Sequence, residues 1–117
     1  QIEGGFIQGM GWLTMEEVKW KSNGQLTTYS PSTYKIPAVN DMPEKFYAKI
    51  FKQGKNIENV VNKSKTTGEP PLMLAMSVFF AIKDAISSIS NYKKSPELDA
   101  PATAEKILLA INKITEN

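Results

Sequence analysis

Ser64-Lys65-Thr66-Thr67-Gly68-Glu69-Pro70-Pro71-Leu72 sets one carboxylate on a short turn between a lysine-rich segment and a long apolar run. From there to Ile89, the residues Ala75, Val78, Phe79, Ile82, Ala85, Ile86 and Ile89 recur at the three-and-four spacing of one helix face. The spacing predicts a helix. Pro70 and Pro71 suit its first turn, where amide hydrogens have no intrahelical acceptor and the fixed φ of proline is already helical. Glu69 is thereby placed at a helix N-terminus, and two roles stay open for it. It can complement the positive end of the helix dipole, or it can serve as a fixed general base.

Working outward, Met73, Met76 and Phe80 lie off the main apolar stripe, so the first half of this helix is hydrophobic nearly all round. A helix of that kind is covered on every side in a large protein. The methionines read as gap-filling core rather than as metal ligands. The second half carries Lys83, Asp84, Ser87 and Ser88 opposite the stripe and is expected to be wet on one side. Downstream, Ser95-Pro96 and Ala100-Pro101 mark a loop, and Thr103 can cap a last helix running through Ile107, Leu108, Ala110, Ile111 and Ile114.

Upstream, Gln1 to about Glu16 reads as a helix rich in small residues, with Ile2, Phe6, Met10 and Leu13 on one face. Gly4, Gly5, Gly9 and Gly11 fall within eight residues. Each costs about 1 kcal/mol relative to alanine in a helix, so close backbone approach to a neighbouring element or a cofactor must compensate. They do not form the Gly-x-Gly-x-x-Gly loop of a dinucleotide site after a strand. Glu17–Trp20 and Gln25–Thr28 flank Ser22-Asn23-Gly24, a hairpin signal. Pro31, Pro37 and Pro43 make Ser30 to Pro43 an irregular path. Phe46, Ala48 and Ile50 alternate with Tyr47, Lys49 and Phe51, which predicts a strand with one buried face that joins a sheet. The expected class is therefore α+β, helices packed on a mixed or antiparallel sheet.

The chain of 117 residues is 41% hydrophobic and 22% charged, ordinary for a globular protein. It has neither cysteine nor histidine, which excludes disulfides, a thiolate nucleophile and thiolate-held iron–sulfur clusters, and makes a zinc site improbable. All 14 basic residues are lysine, at a net charge of +2. A phosphate clamp or nucleic-acid surface draws on arginine's bidentate fork. The lysines at 45, 49, 52, 55, 63 and 65 therefore read as a solvated segment, and no nucleic-acid partner is expected. No run of 18 uninterrupted apolar residues and no basic leader followed by an apolar core is visible, so no membrane partner is expected and a cytoplasmic location is the default.

Five stretches occur in order: Gln1-Ile2-Glu3-Gly4-Gly5-Phe6-Ile7-Gln8-Gly9-Met10-Gly11, Pro31-Ser32-Thr33-Tyr34-Lys35-Ile36-Pro37, Gly68-Glu69-Pro70-Pro71-Leu72, Val78-Phe79-Phe80-Ala81-Ile82-Lys83-Asp84-Ala85 and Ala100-Pro101-Ala102-Thr103. Together they resemble the xanthine dehydrogenase/oxidase family, in particular the C-terminal part of its molybdenum-pterin-binding domain. The resemblance implies one partial domain over residues 1–117, a piece of a larger enzyme that is inactive by itself. It implies that Glu69 is the general base taking a proton from a molybdenum-bound hydroxyl, and that Gln1 approaches the pterin through its carboxamide. It also implies oxidation of hypoxanthine and xanthine toward urate, with the molybdenum held by molybdopterin and FAD and 2Fe-2S clusters on other segments.

The implied partners are the remaining segments or subunits of the hydroxylase, a purine substrate, and NAD or oxygen as acceptor, in a homo-oligomeric assembly. An aldehyde oxidase or another aza-heterocycle hydroxylase would share the same Glu. A cofactor-free interaction module that keeps the fold would lack molybdenum altogether.

Overall fold

In the computed structural model, which describes residues 1–66 and 68–116, four helices carry the order. They are α1 (Ile2–Thr14), α2 (Glu69–Leu74), α3 (Met76–Ile89) and α4 (Ala104–Thr115), with single 3-10 turns at Val39–Asp41 and Val61–Lys63. Thr67, inside the turn that precedes Glu69, lies outside the described residues.

The expected sheet is a correction. Among the described residues the regular structure is helical, and the one β interaction is an isolated antiparallel bridge between Trp20 and Leu26. The hairpin does turn at Gly24, whose φ of 82° is open to glycine at no steric cost. Its amide donates to the Lys21 carbonyl at 2.9 Å, and Thr27 N–H donates to the Lys19 carbonyl at 2.9 Å. Its arms go no further. Phe46–Phe51 runs without a ladder partner, with Tyr47, Ile50 and Phe51 exposed. Alternation supplies a face for a strand to bury, but a ladder also needs a second backbone, and no described segment provides one.

The apolar core lies at the α3–α4 end. Ile86, Leu98, Ala102, Ala110 and Ile114 are buried together, with Phe79, Ile82, Ile107 and Ile111 packed against them. The three-and-four spacing of α3 and α4 brings these positions onto facing sides. Thr103 caps α4 as expected, its hydroxyl oxygen accepting from Lys106 N–H at 3.4 Å. The other end of α4 is held from a distance in sequence: the Lys94 ammonium donates to the carbonyls of Ile114 at 3.1 Å and Glu116 at 2.8 Å. A cation there satisfies acceptors that the helix leaves open and complements its negative pole.

The predicted helix from Leu72 to Ile89 is divided at Ala75, which is fully buried. Taken together, Glu69–Ile89 is 21 residues and holds an 18-residue window of mean hydropathy 1.7, long and apolar enough to cross a membrane by length and composition. Counting uninterrupted apolar residues passes over it, because Ser77, Lys83, Asp84, Ser87 and Ser88 break the run. Its apolar character also has a use within the fold: Ala75 faces α1 and Ile86 faces α4.

The whole is expanded. Its radius of gyration is 18.1 Å, where a compact domain of this length has about 13 Å. Its accessible surface is 9272 Å², where a compact monomer of this mass has roughly 6,300 Å².

Candidate functional site

Glu69 begins α2, with Gly68 as the residue before the helix and the two prolines in its first turn. The carboxylate is exposed. The four ion pairs among the described residues join Lys19 to Glu17, Lys35 to Asp41, Lys106 to Glu17 and Lys113 to Glu97, so none engages Glu69.

The position of Glu69 is set by α1. A Cβ placed at Gly5 would come 2.9 Å from the Gly68 carbonyl oxygen and 3.2 Å from Pro71 Cβ. One placed at Gly9 would overlap the Leu72 carbonyl oxygen and lie 2.8 Å from Ala75 Cβ. Four residues on α1 thus match four residues on the α2 side, in the same direction. The two helices run parallel with their N-termini together. The sequence argument that the glycines need compensation is met here by a neighbouring element. Gly11 is likewise covered, by the Pro37 ring and Glu16, whereas a Cβ at Gly4 would meet nothing within 4 Å.

Gln1 stands at the start of α1, one turn or about 6 Å before Gly5. Its backbone carbonyl accepts from Gly5 N–H at 2.9 Å, and its side chain is exposed and makes no capping bond. Beside it runs an open groove of about 360 Å³ lined by Gln1, Ile2, Glu3, Ala48 and Ile50. Phe46 closes the next turn of α1 by packing on Phe6, their ring centroids 5.3 Å apart. The parallel pairing therefore brings Gln1 and Glu69 to the same end of the molecule. Among the described residues no hydrogen bond joins them.

The Ser32–Pro37 stretch lies elsewhere. The Tyr34 hydroxyl donates to Glu16 Oε2 at 2.6 Å, which holds the phenol above its usual pKa, and Pro37 sits on Gly11. Both contacts are at the C-terminal end of α1, away from Gln1. The contact between Tyr34 and Glu16 escaped sequence reasoning because the residues are 18 apart in an irregular path. So did the Lys94 clamp on α4. Neither has a periodicity that would announce it.

One carboxamide and one carboxylate at the paired helix starts suit hydrogen bonding and proton transfer to a group that brings its own metal ligands. Among the described residues no cluster of three or more His, Cys, Asp or Glu is placed to coordinate a metal directly.

A sequence model of the molybdopterin cofactor-binding domain matches residues 1–43, the part that contains Gln1 and all of α1. The mouse protein named xanthine dehydrogenase/oxidase is 48% identical over 113 residues, covering 92% of this chain and 8% of the mouse protein. The rice xanthine dehydrogenase is 45% identical over 128 residues, covering 99% of this chain and 9% of its own length. The Dictyostelium discoideum xanthine dehydrogenase is 44% identical over 110 residues, covering 92% and 8%. The chain thus spans about a tenth of the length of these relatives.

Proposed function

Because the chain belongs to the xanthine dehydrogenase/oxidase family, we propose that it supplies the general base and one pterin contact of a molybdenum hydroxylase acting on hypoxanthine and xanthine. The observation that carries this reading is the pairing of α1 with α2, which sets an exposed carboxylate, without an ion-pair partner among the described residues, at the same end as the exposed carboxamide of Gln1. Residues 1–117 form one partial domain in it, the C-terminal part of a molybdopterin-binding unit.

When bound, the molybdenum–molybdopterin group supplies the oxidising equivalents and an acidic hydroxyl. Glu69 would be the residue to take up a proton there, as general base. Its main chain is restrained by the two prolines that follow it and by the α1 contacts at Gly68 and Pro71, so little backbone freedom remains to be lost when substrate arrives. Gln1 donates and accepts through one amide, which suits the alternating donors and acceptors of a pterin edge that it would hold. FAD, 2Fe-2S clusters, the acceptor NAD or oxygen, and the remaining segments of a homo-oligomeric assembly belong to the same reading, as does a cytoplasmic setting.

The test is Glu69→Gln in the assembled enzyme. Removal of the base alone is expected to lower kcat by about 10²–10⁴ while the molybdenum-to-protein ratio is unchanged. Loss of metal in that variant would make Glu69 a structural residue. Full turnover on an aldehyde with none on xanthine would shift the substrate to the aldehyde oxidase side.

A further inference from the structure

We propose that Gly5, with Gly9 one turn on, is a positioning residue for Glu69. The inference rests on the reading of Glu69 as the base. Its physical ground is the kind of contact that α1 makes. At Gly5 the nearest atoms to an added Cβ are the Gly68 carbonyl oxygen at 2.9 Å and Pro71 Cβ at 3.2 Å. Both belong to groups that cannot rotate away, one a backbone carbonyl and the other part of a proline ring. Gly68 and Pro71 bracket Glu69 and Pro70 in the sequence.

A displacement of that turn therefore moves the Glu69 backbone, which sits between Gly68 and Pro71. A flexible side chain in the contact would absorb it; here there is none. At Gly9 the same holds for the Leu72 carbonyl and Ala75 Cβ, so the register of α2 on α1 is fixed at two points one turn apart. Gly4, on the same helix, faces open space and takes no part.

Proton transfer is sensitive to such shifts, since a misplacement of about 1 Å costs on the order of 10²-fold in rate. At 2.9 Å from a backbone oxygen an added Cβ is closer than such atoms approach, so α2 must shift on α1 to admit it.

The experiment compares Gly4→Ala, Gly5→Ala, Glu69→Gln and the Gly5→Ala/Glu69→Gln pair in the assembled enzyme, reading kcat, KM and molybdenum content. Gly4→Ala should leave all three unchanged. Gly5→Ala should lower kcat roughly tenfold or more, with KM and molybdenum content close to wild type. In the Glu69→Gln background, Gly5→Ala should lower kcat no further, because its effect runs through a carboxylate that is gone.

An unchanged kcat in Gly5→Ala overturns the proposal, and so does an equal loss in both backgrounds, which would mark a general packing defect. Full turnover in Glu69→Gln would instead remove the base reading itself. Should Gly5→Ala yield no assembled enzyme, Pro71→Gly puts the same question by opening the contact rather than crowding it. A lowered kcat at unchanged KM and molybdenum content then supports positioning, and an unchanged kcat overturns it.

Discussion

The two ends of this chain bury apolar surface through different kinds of contact, though both leave some of it outward, Leu108 and Leu109 on α4 among them. At the α3–α4 end, Ile86 is 3% exposed among apolar neighbours from α4 and the loop before it, and both ends of α4 are capped by side chains of this same chain. At the α1–α2 end the closest contacts set the glycines of α1 on carbonyls and short side chains of the α2 side, with Met10, Pro71 and Ala75 buried, while Trp12 is 52% exposed and Met73 58%. The candidate site belongs to the second end. The larger apolar cluster is found where no chemistry is proposed, and the proposed chemistry stands beside a seam of glycines.

Ile86→Ala should have the largest effect on stability, a loss of about 2–5 kcal/mol from transfer and cavity terms, read as faster amide exchange across α3 and α4 together. A loss below about 1 kcal/mol would mean that the α3–α4 end is no better packed than the other and would dissolve the contrast.

Next comes the cap. Thr103→Ala removes the acceptor for Lys106 N–H and should cost about 0.5–2 kcal/mol, with exchange accelerated first in the opening turn of α4.

Phe80→Ser sharpens the comparison from the other side. More than half exposed, Phe80 should change the stability of α3 by no more than about 0.5 kcal/mol when replaced by serine, read by amide exchange. A loss comparable to that of Ile86→Ala would show that the outward face is covered within the chain.

The smallest effect concerns pH. Glu97 is held below the ordinary carboxylate value near 4.5 by its hydrogen bond to Lys113 and by that residue's charge. Since the folded state lowers this pKa, the contribution is present above about pH 4.5 and disappears as pH falls through the lower folded value. Glu97→Gln should remove that slope from the stability-against-pH curve of α4. Added salt should flatten it as well, because both side chains are exposed.

What the sequence made legible follows from how local each signal is. Pro70 and Pro71 fix the first turn of α2 by their own rings, and the face of α3 that ends in Ile86 is written in a period of three and four. The glycines of α1 declared that something must lie close to them without saying what, because the partner residues stand some sixty positions further along. The strand at Phe46–Phe51 was expected from its alternation, yet a ladder is a property of two segments, and alternation describes only one. Gln1 and Glu69 were named from resemblance. Their arrival at the same end depends on the direction in which α1 and α2 cross, which no local pattern encodes.

The expanded outline has a consequence for assembly. A radius of gyration of 18.1 Å is that of a compact domain of about 250 residues, so roughly half of the envelope traced by these 117 residues is empty. Whatever fills it must thread into the gaps between the hairpin, the lysine-rich segment and the helices, as interlocking fingers do. Two finished surfaces cannot meet in that manner. Filling so open an outline orders loops as well as burying surface, which gives association at these gaps the thermodynamic signature of folding, a large negative heat-capacity change.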